Sequence, residues 1–388
     1  MGIPTTAAAS LSAALLCGLC AAHAAQPPVL TAETSDVAVL PAAKPHRFIT
    51  FNYQASAVIF DADSGRIEGQ VPLGDNATLA LSADNSRIYV GETYWSRGNR
   101  GERQDLLSIY DGRTLDLLKE IELPGRALVS MKFNNFSLSA SGKRAYVYNM
   151  HPASSLIWVD LVKQSVGGVV EVPGCALAFA WGDAGVASLC GDGSLAVVSV
   201  PGQGTARVRH TKPFFDARND PIFDNSPYDS ASGKAVFLSY TGRIYTARLG
   251  AEPMIDKPWS IQAAAGQKPP STGTDELAWR PGGRQPIAWH KQSDRVFVLM
   301  HPGSHWSHND AATEIWVLNL ATHALLARYP LRLKQAAQIR SISVSQAAEP
   351  QLYLINPDGP STVVNADDGE ALRKIEFATG EATLVSSF

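Results

Sequence analysis

Apolar and polar positions alternate along this chain in a pattern that returns about every 40 to 70 residues, most often near every 48. Each copy is a short apolar strand, a turn rich in Asp, Gly, Asn or Thr, and the start of a second strand. The seven copies occupy residues 58–67, 108–118, 156–166, 195–206, 243–253, 314–326 and 362–373. One propeller blade cannot bury both faces of its own sheet, so blades stack in a ring. The pattern therefore predicts an all-β fold, a seven-bladed β-propeller of four-stranded antiparallel blades.

A second repeated phrase supports this architecture. It consists of a strand, a polar turn, and a strand of alternating β-branched and aromatic residues. Its copies occupy residues 81–92, 139–150, 228–240, 289–301 and 344–356. Regular strands begin near Arg47, so the propeller is predicted over residues 47–388. We expect the N-terminal strand to close the ring by completing the last blade, because a closed ring leaves no bare sheet edge.

The N-terminal residues have a different composition. Residues 1–25 contain an apolar run that is too short to span a bilayer, followed by the small-residue sequence Ala-His-Ala-Ala. This pattern predicts a secretory signal peptide cleaved after Ala24 or Ala25, and therefore an exported protein. Residues 26–46 are rich in Pro and Ala without clear periodicity, which indicates an arm or linker.

Charge and composition exclude some classes of function. The net charge of the 388-residue chain is −3, and charged residues make up 18%, against roughly 25% in typical domains. No basic stripe is present to neutralise phosphates, which argues against nucleic-acid binding. The hydrophobic content of 45% is sufficient for a large core.

Removal of the signal peptide leaves two cysteines, Cys175 and Cys190. An even pair in an exported protein is a disulfide candidate. The intervening strand-turn-strand pattern would bring the two ends of the segment opposite each other across a hairpin. Two buried thiols are the alternative.

Two loops carry candidate chemistry. His301, His305 and His308 are spaced for three-imidazole metal binding, but they lie in a loop containing Gly and Pro, which favours a solvated or ligand-contacting loop without metal. Residues 96–105 mix three arginines with acidic residues, which indicates a protein contact or a solvated hairpin tip.

An extra-long interval separates the fifth and sixth copies of the pattern. The excess lies in residues 257–286, which are rich in Pro and Gly and contain Trp259 and Trp279. Loops of this kind often bind ligands. A loop packed through its own tryptophans is an equal alternative. The chain contains no G-x-S-x-G, H-E-x-x-H or Walker sequence, so no catalytic residue is predicted on it.

Several longer segments resemble the heavy subunit of the tryptophan tryptophylquinone amine dehydrogenases. They include the pieces Arg-Gly-Glu-Arg, Cys-Gly-Asp-Gly and Trp-Arg-Pro-Gly-Gly. The matching segments are 94–124, 173–195, 219–245, 279–283 and 300–330. The resemblance is greater to aromatic amine dehydrogenase than to methylamine dehydrogenase.

The resemblance implies a periplasmic assembly of two heavy and two light subunits. In that family the quinone lies on the light subunit, and the enzyme oxidises a primary amine to an aldehyde and ammonia. Electrons pass to a blue copper protein such as azurin or amicyanin. The resemblance also implies that Cys175 and Cys190 are disulfide-bonded. This chain would hold the light subunit and shape the substrate channel, with no cofactor of its own.

Heavy subunits of the family have an aromatic residue near the first strand, at the mouth of the substrate channel. That segment is shorter in this chain, so its aromatic residues are proposed and not aligned. Substrate-channel candidates are Phe51, Tyr53, Tyr94 and Trp95, with an aromatic amine as the expected substrate. Subunit-contact candidates are Arg97, Arg100, Arg103, His301 and His305. A stand-alone exported propeller, either a ligand-binding module or a metal-dependent lactonase, is the alternative function.

Overall fold

We analysed the protein as a computed structural model. It describes residue 2 and residues 39–42, 44–52, 56–128, 132–201, 205–331, 338–375 and 384–388. The predicted signal peptide, most of the predicted arm and Tyr53 lie outside these residues. The last part of the predicted arm packs on the propeller, since Leu40 is buried and its amide donates to the carbonyl of Arg113.

Antiparallel sheets build the described chain, and we number the blades in chain order. Blade 1 contains β1 Arg47–Asn52, β2 Ser56–Asp61 and β3 Arg66–Pro72, and blade 2 contains β4 Asp75–Leu81, β5 Arg87–Arg97, β6 Arg100–Asp111 and β7 Leu117–Leu123. Blade 3 contains β8 Phe136–Leu138, β9 Arg144–Asn149, β10 Ser155–Asp160 and β11 Ser165–Glu171. Blade 4 contains β12 Cys175–Trp181, β13 Gly185–Cys190, β14 Leu195–Ser199 and β15 Arg207–His210.

Blades 5 to 7 follow the same plan. Blade 5 contains β16 Lys234–Leu238, β17 Arg243–Arg248, β18 Met254–Ile255 and β19 Trp259–Ser260. Blade 6 contains β20 Ala278–Pro281, β21 Ile287–His290, β22 Arg295–Gly303, β23 Glu314–Asn319 and β24 Leu325–Pro330. Blade 7 contains β25 Ser341–Val344, β26 Gln351–Ile355, β27 Ser361–Asn365 and β28 Ala371–Ile375. In blade 5, β18 and β19 share the outer position, and in blade 6, β20 and β21 share the inner position. A 3₁₀ helix, Phe133–Asn135, and a short helix α1, Ile261–Ala264, lie between strands.

The two termini close the ring together. The last strand, β29 Leu384–Ser387, pairs antiparallel with β1 and forms the innermost strand of blade 1. The N-terminal strand therefore takes part in closure, as expected. The arrangement differs from the expectation in one respect. Blade 1 consists of three N-terminal strands and one C-terminal strand, so the C-terminal strand completes the first blade.

The core is a ring of interfaces between blades. In the described chain, seven hydrophobic clusters each combine residues of two neighbouring blades, and the seventh joins blade 7 to blade 1. The outermost strands β3, β7, β15 and β28 are largely exposed, while the strands inside them are buried. Each sheet thus buries both faces against its neighbours, which confirms the predicted seven-bladed propeller.

The repeated phrase that revealed the fold is the turn between the third and fourth strands. In five blades, an Asp or Asn at the end of the third strand accepts hydrogen bonds from backbone amides two or three residues later. These residues are Asp61, Asp111, Asp160, Asn319 and Asn365. Four positions after each lies a residue with positive φ, and these are Gly65, Leu115, Gln164, His323 and Gly369. The side-chain acceptor and the left-handed residue together specify this tight reversal.

Candidate functional site

All predicted site residues that the structure describes lie on one face of the propeller. Neighbouring strands are antiparallel, so the start of each innermost strand and the end of each second strand lie on the same face of the propeller. We call it the upper face. It carries Phe51, Tyr94, Trp95, Arg97, Arg100, Arg103, Cys175, Cys190, His301 and His305.

The most prominent feature of the upper face is a two-stranded ribbon, residues 94–104. The strands β5 and β6 contain 11 and 12 residues, more than any other strand of the described chain. Pairing with the neighbouring strands ends at Thr93 and Asp105, so the ribbon extends beyond its blade, and no strand of the described residues pairs with either of its edges. Tyr94 is exposed, Trp95 is half-buried, and the three arginines are exposed.

A buried polar network fixes the base of the ribbon. The Glu92 carboxylate, fully buried, accepts hydrogen bonds from the amide of Gly74 at 2.7 Å, from the hydroxyl of Tyr94 at 3.1 Å, and from the hydroxyl of Ser108. Burial raises the pKa of the Tyr94 phenol, and the Glu92 carboxylate raises it further. The exposed aromatic ring is therefore tethered to the core through its own hydroxyl.

Arg126 completes this network. Its guanidinium donates to Thr93 Oγ1 at 2.9 Å, and Thr93 donates to Asp105 Oδ1 at 2.6 Å. Burial lowers the pKa of Arg126 to about 10, opposed by the charges of Asp105 and Glu92. Arg103 pairs with Asp105 at 2.9 Å and donates to the carbonyl of Arg126, so its charge is used within the chain.

Phe51 lies at the upper end of β1, the second strand of blade 1. Its ring meets the ring of Phe133 edge to face at 5.2 Å between centroids, and the amide of Phe133 donates to Asn225 Oδ1 at 2.9 Å. Phe51 belongs to blade 1 and Asn225 to the approach to blade 5, and these blades are not neighbours. The 3₁₀ helix therefore bridges blade 1 and the segment before blade 5, and it covers Phe51, which is 1% exposed.

The histidine loop is packed against blade 5. The ring of His308 stacks on Tyr240 with centroids 4.0 Å apart, and His305 packs against Trp306. His301 and His305 are 3% and 4% exposed, so their side chains present almost no surface to a partner subunit in this conformation. Burial removes these two imidazoles from the contact surface, while Trp306 between them and His308 is 48% exposed.

The three histidines do not converge on one point. Within the described residues, the potential metal-binding group that brings three ligand atoms within 4.8 Å of one another is Cys175, Cys190 and His210. The two cysteines form a disulfide across the paired positions of β12 and β13, which removes their thiolates as ligands. The disulfide confirms the pairing that the sequence proposed.

The inserted segment 257–286 packs through its tryptophans and also borders a cavity. Trp259 stacks on His323, and Trp279 packs against Trp316 with Arg328 beside both rings of that pair. Other residues of the segment line a cavity of about 600 Å³ beside blade 5 together with Phe214, Phe215 and Tyr245. The tryptophans are therefore structural, and the open surface belongs to their neighbours.

Sequence reasoning missed Trp306, Glu92 and Arg126. Among the described residues, Tyr94 and Trp306 are the aromatic side chains that count as exposed, and both lie on the upper face. A glutamate inside the apolar strand β5 was a usable signal for a buried network, because buried carboxylates need partners. The exposure of Trp306 depends on packing between blades, which no local pattern encodes.

Among the helices of the described residues, none has the length and apolar character needed to span a membrane.

Comparison with known proteins identifies the family. The model of the methylamine dehydrogenase heavy chain family matches residues 43–387. The heavy chain from Paracoccus versutus is 30% identical over 360 residues, which cover 92% of this chain and 80% of that relative. The heavy chain from Methylobacillus flagellatus is 28% identical over 340 residues, covering 87% and 82%. The propeller is therefore the heavy subunit of a quinoprotein amine dehydrogenase. Within that class, the chain belongs to the methylamine dehydrogenase heavy chain family.

Solved structures share the fold at much lower identity. A protein of unknown function from Desulfotomaculum acetoxidans superimposes with a TM-score of 0.59 at 10% identity, covering 88% of this chain and 98% of the other. A protein described as a putative 6-phosphogluconolactonase from Bacteroides fragilis gives 0.57 at 9% identity, covering 91% and 98%. Such similarity indicates the propeller alone and gives the lactonase alternative no support.

Proposed function

We propose that this chain is the non-catalytic heavy subunit of a periplasmic enzyme that oxidises primary amines, preferably aromatic ones, to aldehydes and ammonia. A light subunit carrying tryptophan tryptophylquinone sits on the upper face, two of each subunit form the enzyme, and a blue copper protein such as azurin or amicyanin accepts the electrons. The quinone supplies the amine oxidation, and this chain holds the light subunit and shapes the path of the amine.

The family match, combined with the location of the exposed aromatic residues, supports this proposal. Interface hot spots are enriched in Trp, Tyr and Arg. Here Tyr94, Arg97 and Arg100 of blade 2 and Trp306, which follows β22 of blade 6, are all exposed on the upper face. Phe133, which covers the buried Phe51, lies on the same face.

The tryptophans of this chain do not suit the quinone, which is made from two tryptophans. Trp279 and Trp316 do pack together, with centroids 5.6 Å apart. Trp316 is completely buried, however, and the Arg328 guanidinium lies 4.6 Å and 4.8 Å from the two rings. An amine could not reach the buried ring of Trp316, which supports the assignment of the quinone to the light subunit.

Coexpression tests this function. We expect this chain, produced with the light-chain gene of the same genome, to copurify with a small quinone-absorbing subunit. The complex should reduce an artificial acceptor in the presence of a primary amine, and this chain alone should be inactive. Deamination by the isolated chain, or a complex without quinone absorbance, would contradict the proposal.

Substrate preference is tested on the same complex. We expect kcat/KM to be higher for 2-phenylethylamine than for methylamine. A Tyr94→Ala variant should lower the value for the aromatic amine more than for methylamine, because an aromatic wall binds an aromatic substrate through its face or edge. Equal effects on both amines would remove Tyr94 from the substrate path.

A further inference from the structure

The tip of the upper-face ribbon contains an unfavourable arrangement of charges. Arg97 and Arg100 are directly opposite each other in the register of β5 and β6. Like charges at such cross-strand positions destabilise a sheet. Both side chains are exposed, and among the ion pairs of the described chain none includes Arg97, Arg100 or the neighbouring Glu102. The chain by itself therefore leaves this repulsion without compensation.

The third arginine of the ribbon is in a different situation. Arg103 pairs with Asp105 and donates to the carbonyl of Arg126 at the ribbon base. Its charge is neutralised locally, and it anchors the ribbon. Of the three arginine charges of the ribbon, the two without an ion pair are therefore at its tip, while the whole chain has a net charge of −3.

The base of the ribbon is rigid. Glu92, Thr93, Asp105 and Arg126 form one buried network, and the hydroxyl of Tyr94 is bound into it. A projecting ribbon with an ordered base presents its tip with a small loss of conformational entropy upon binding. Paired guanidinium groups bind carboxylates strongly and often through two hydrogen bonds.

From these observations we infer that the Arg97–Arg100 tip is an electrostatic docking arm that binds carboxylates on the surface of the light subunit. This inference rests on the proposed function and adds the chemistry of the contact. The acidic partner relieves the repulsion between the two guanidinium groups, and the positive tip attracts that partner at a distance. Charges at the rim of an interface act mainly on the association rate and its salt dependence.

The test measures association of this chain with the purified quinone-bearing light subunit at low and high ionic strength. We expect the double variant Arg97→Glu with Arg100→Glu to associate about 10-fold more slowly at low ionic strength. Its rate should also depend less on salt, because screening has less attraction to remove. The control is Arg113→Glu, which reverses one charge, as Arg97→Glu does, on an exposed residue at the opposite face of the same blade.

A second measurement separates docking from folding. The single variant Arg97→Glu places opposite charges across the tip, so the isolated chain should melt at the same temperature as the wild type or higher. Slower association without loss of stability supports the docking arm. A double variant that associates at the wild-type rate with the wild-type salt dependence overturns it. A wild-type chain that does not bind the light subunit overturns the proposed function itself, and the docking arm with it.

Discussion

The turns between the third and fourth strands lie on the lower face, opposite the upper face. In some of them a residue other than glycine adopts a backbone conformation that suits glycine better. Gln164 has φ of 54° and is exposed, at a position where two other blades have glycine. Left-handed backbone costs about 1–2 kcal/mol for a residue with a side chain. Glycine removes that cost but gains flexibility when unfolded, which offsets about 0.5–1 kcal/mol. We expect Gln164→Gly to raise the free energy of unfolding by about 0.5–1 kcal/mol in urea denaturation.

The comparison variant for this prediction is Gln164→Ala. Alanine removes the same long side chain but keeps the steric cost of positive φ, so its stability should not exceed that of the wild type. The other non-glycine positions are less suitable, because Leu115 packs against a hydrophobic cluster and His323 stacks on Trp259. An equal gain in both Gln164 variants would show that backbone strain is not the cause.

Histidine burial makes stability depend on pH. Burial lowers the pKa of His301 below its ordinary value of 6.5, with Asp310 opposing and Arg280 adding to the shift. The unfolded chain therefore binds a proton at a higher pH than the folded chain. The contribution of neutral His301 to the free energy of unfolding is fully present above the pKa of the unfolded state. It is lost as the pH falls through 6.5 towards the lower pKa of the folded state.

His301→Gln should weaken this dependence. We expect the slope of unfolding free energy between about pH 7.5 and 5.5 to decrease by up to about 1.4 kcal/mol per pH unit. The same comparison above about pH 8 measures the cost of the substitution without titration, because both states are then neutral. A slope unchanged from the wild type would mean that His301 is protonated equally in both states.

At the scale of elements, the ribbon depends on its buried base. The Glu92 carboxylate is surrounded by donors from Gly74, Tyr94 and Ser108. Glu92→Gln would place an amide nitrogen among these donors and leave at least one buried polar group without a partner. We expect a loss of about 1–3 kcal/mol in chemical denaturation. Glu122→Gln, on the exposed neighbouring strand β7, is the control and should change stability by less than about 0.5 kcal/mol.

The hairpins were predictable from the sequence because their determinants are local. Strand alternation and the Asp or Asn at the third-strand end lie within about ten residues, so the seven repeated turns identified the blades. The disulfide was similarly accessible, since Cys175 and Cys190 belong to two strands of one blade. The ribbon was recognised only as a charged loop, because its projection depends on where the outer strands stop pairing.

The candidate site was less predictable because it depends on contacts distant in sequence. The burial of His301 follows from the close approach of Gly282, where an added Cβ would lie 2.4 Å from the imidazole Nδ1. The covering of Phe51 by Phe133 joins β1 to the 3₁₀ helix that precedes blade 3, 82 residues further along the chain. The spacing of residues in the sequence contains no information about such contacts. The sequence therefore suggested a subunit contact for His301 and His305, whose side chains are buried in the structure.

At the scale of the whole molecule, stability depends on ring closure. Seven clusters join seven blades in a circle, so each blade is supported from both sides. The single C-terminal strand β29 carries the closure, and Val385 is completely buried in the cluster between blades 7 and 1. Loss of that strand would expose the edge of β1 and the core beneath it.

Gln285 ties this closing strand to the rest of the ring. Its amide nitrogen donates to the carbonyls of Ile342 and Val385 at 3.0 Å and 2.9 Å, and its oxygen accepts from the amide of Val385 at 3.0 Å. All three bonds are buried. Gln285→Leu retains an apolar body but leaves these backbone groups without partners, and we expect a loss of about 3 kcal/mol in the free energy of unfolding.

The effect should also appear locally at the closure. Hydrogen exchange of the β29 and β1 amides should accelerate more than exchange in blade 3, because opening of the ring begins where the single strand is held. Gln346→Leu provides the control, since Gln346 also bonds across blades 6 and 7 but is exposed. If both variants lose equal stability, or if exchange rises uniformly around the ring, closure is not the weak point, and the propeller opens at any blade interface with similar ease.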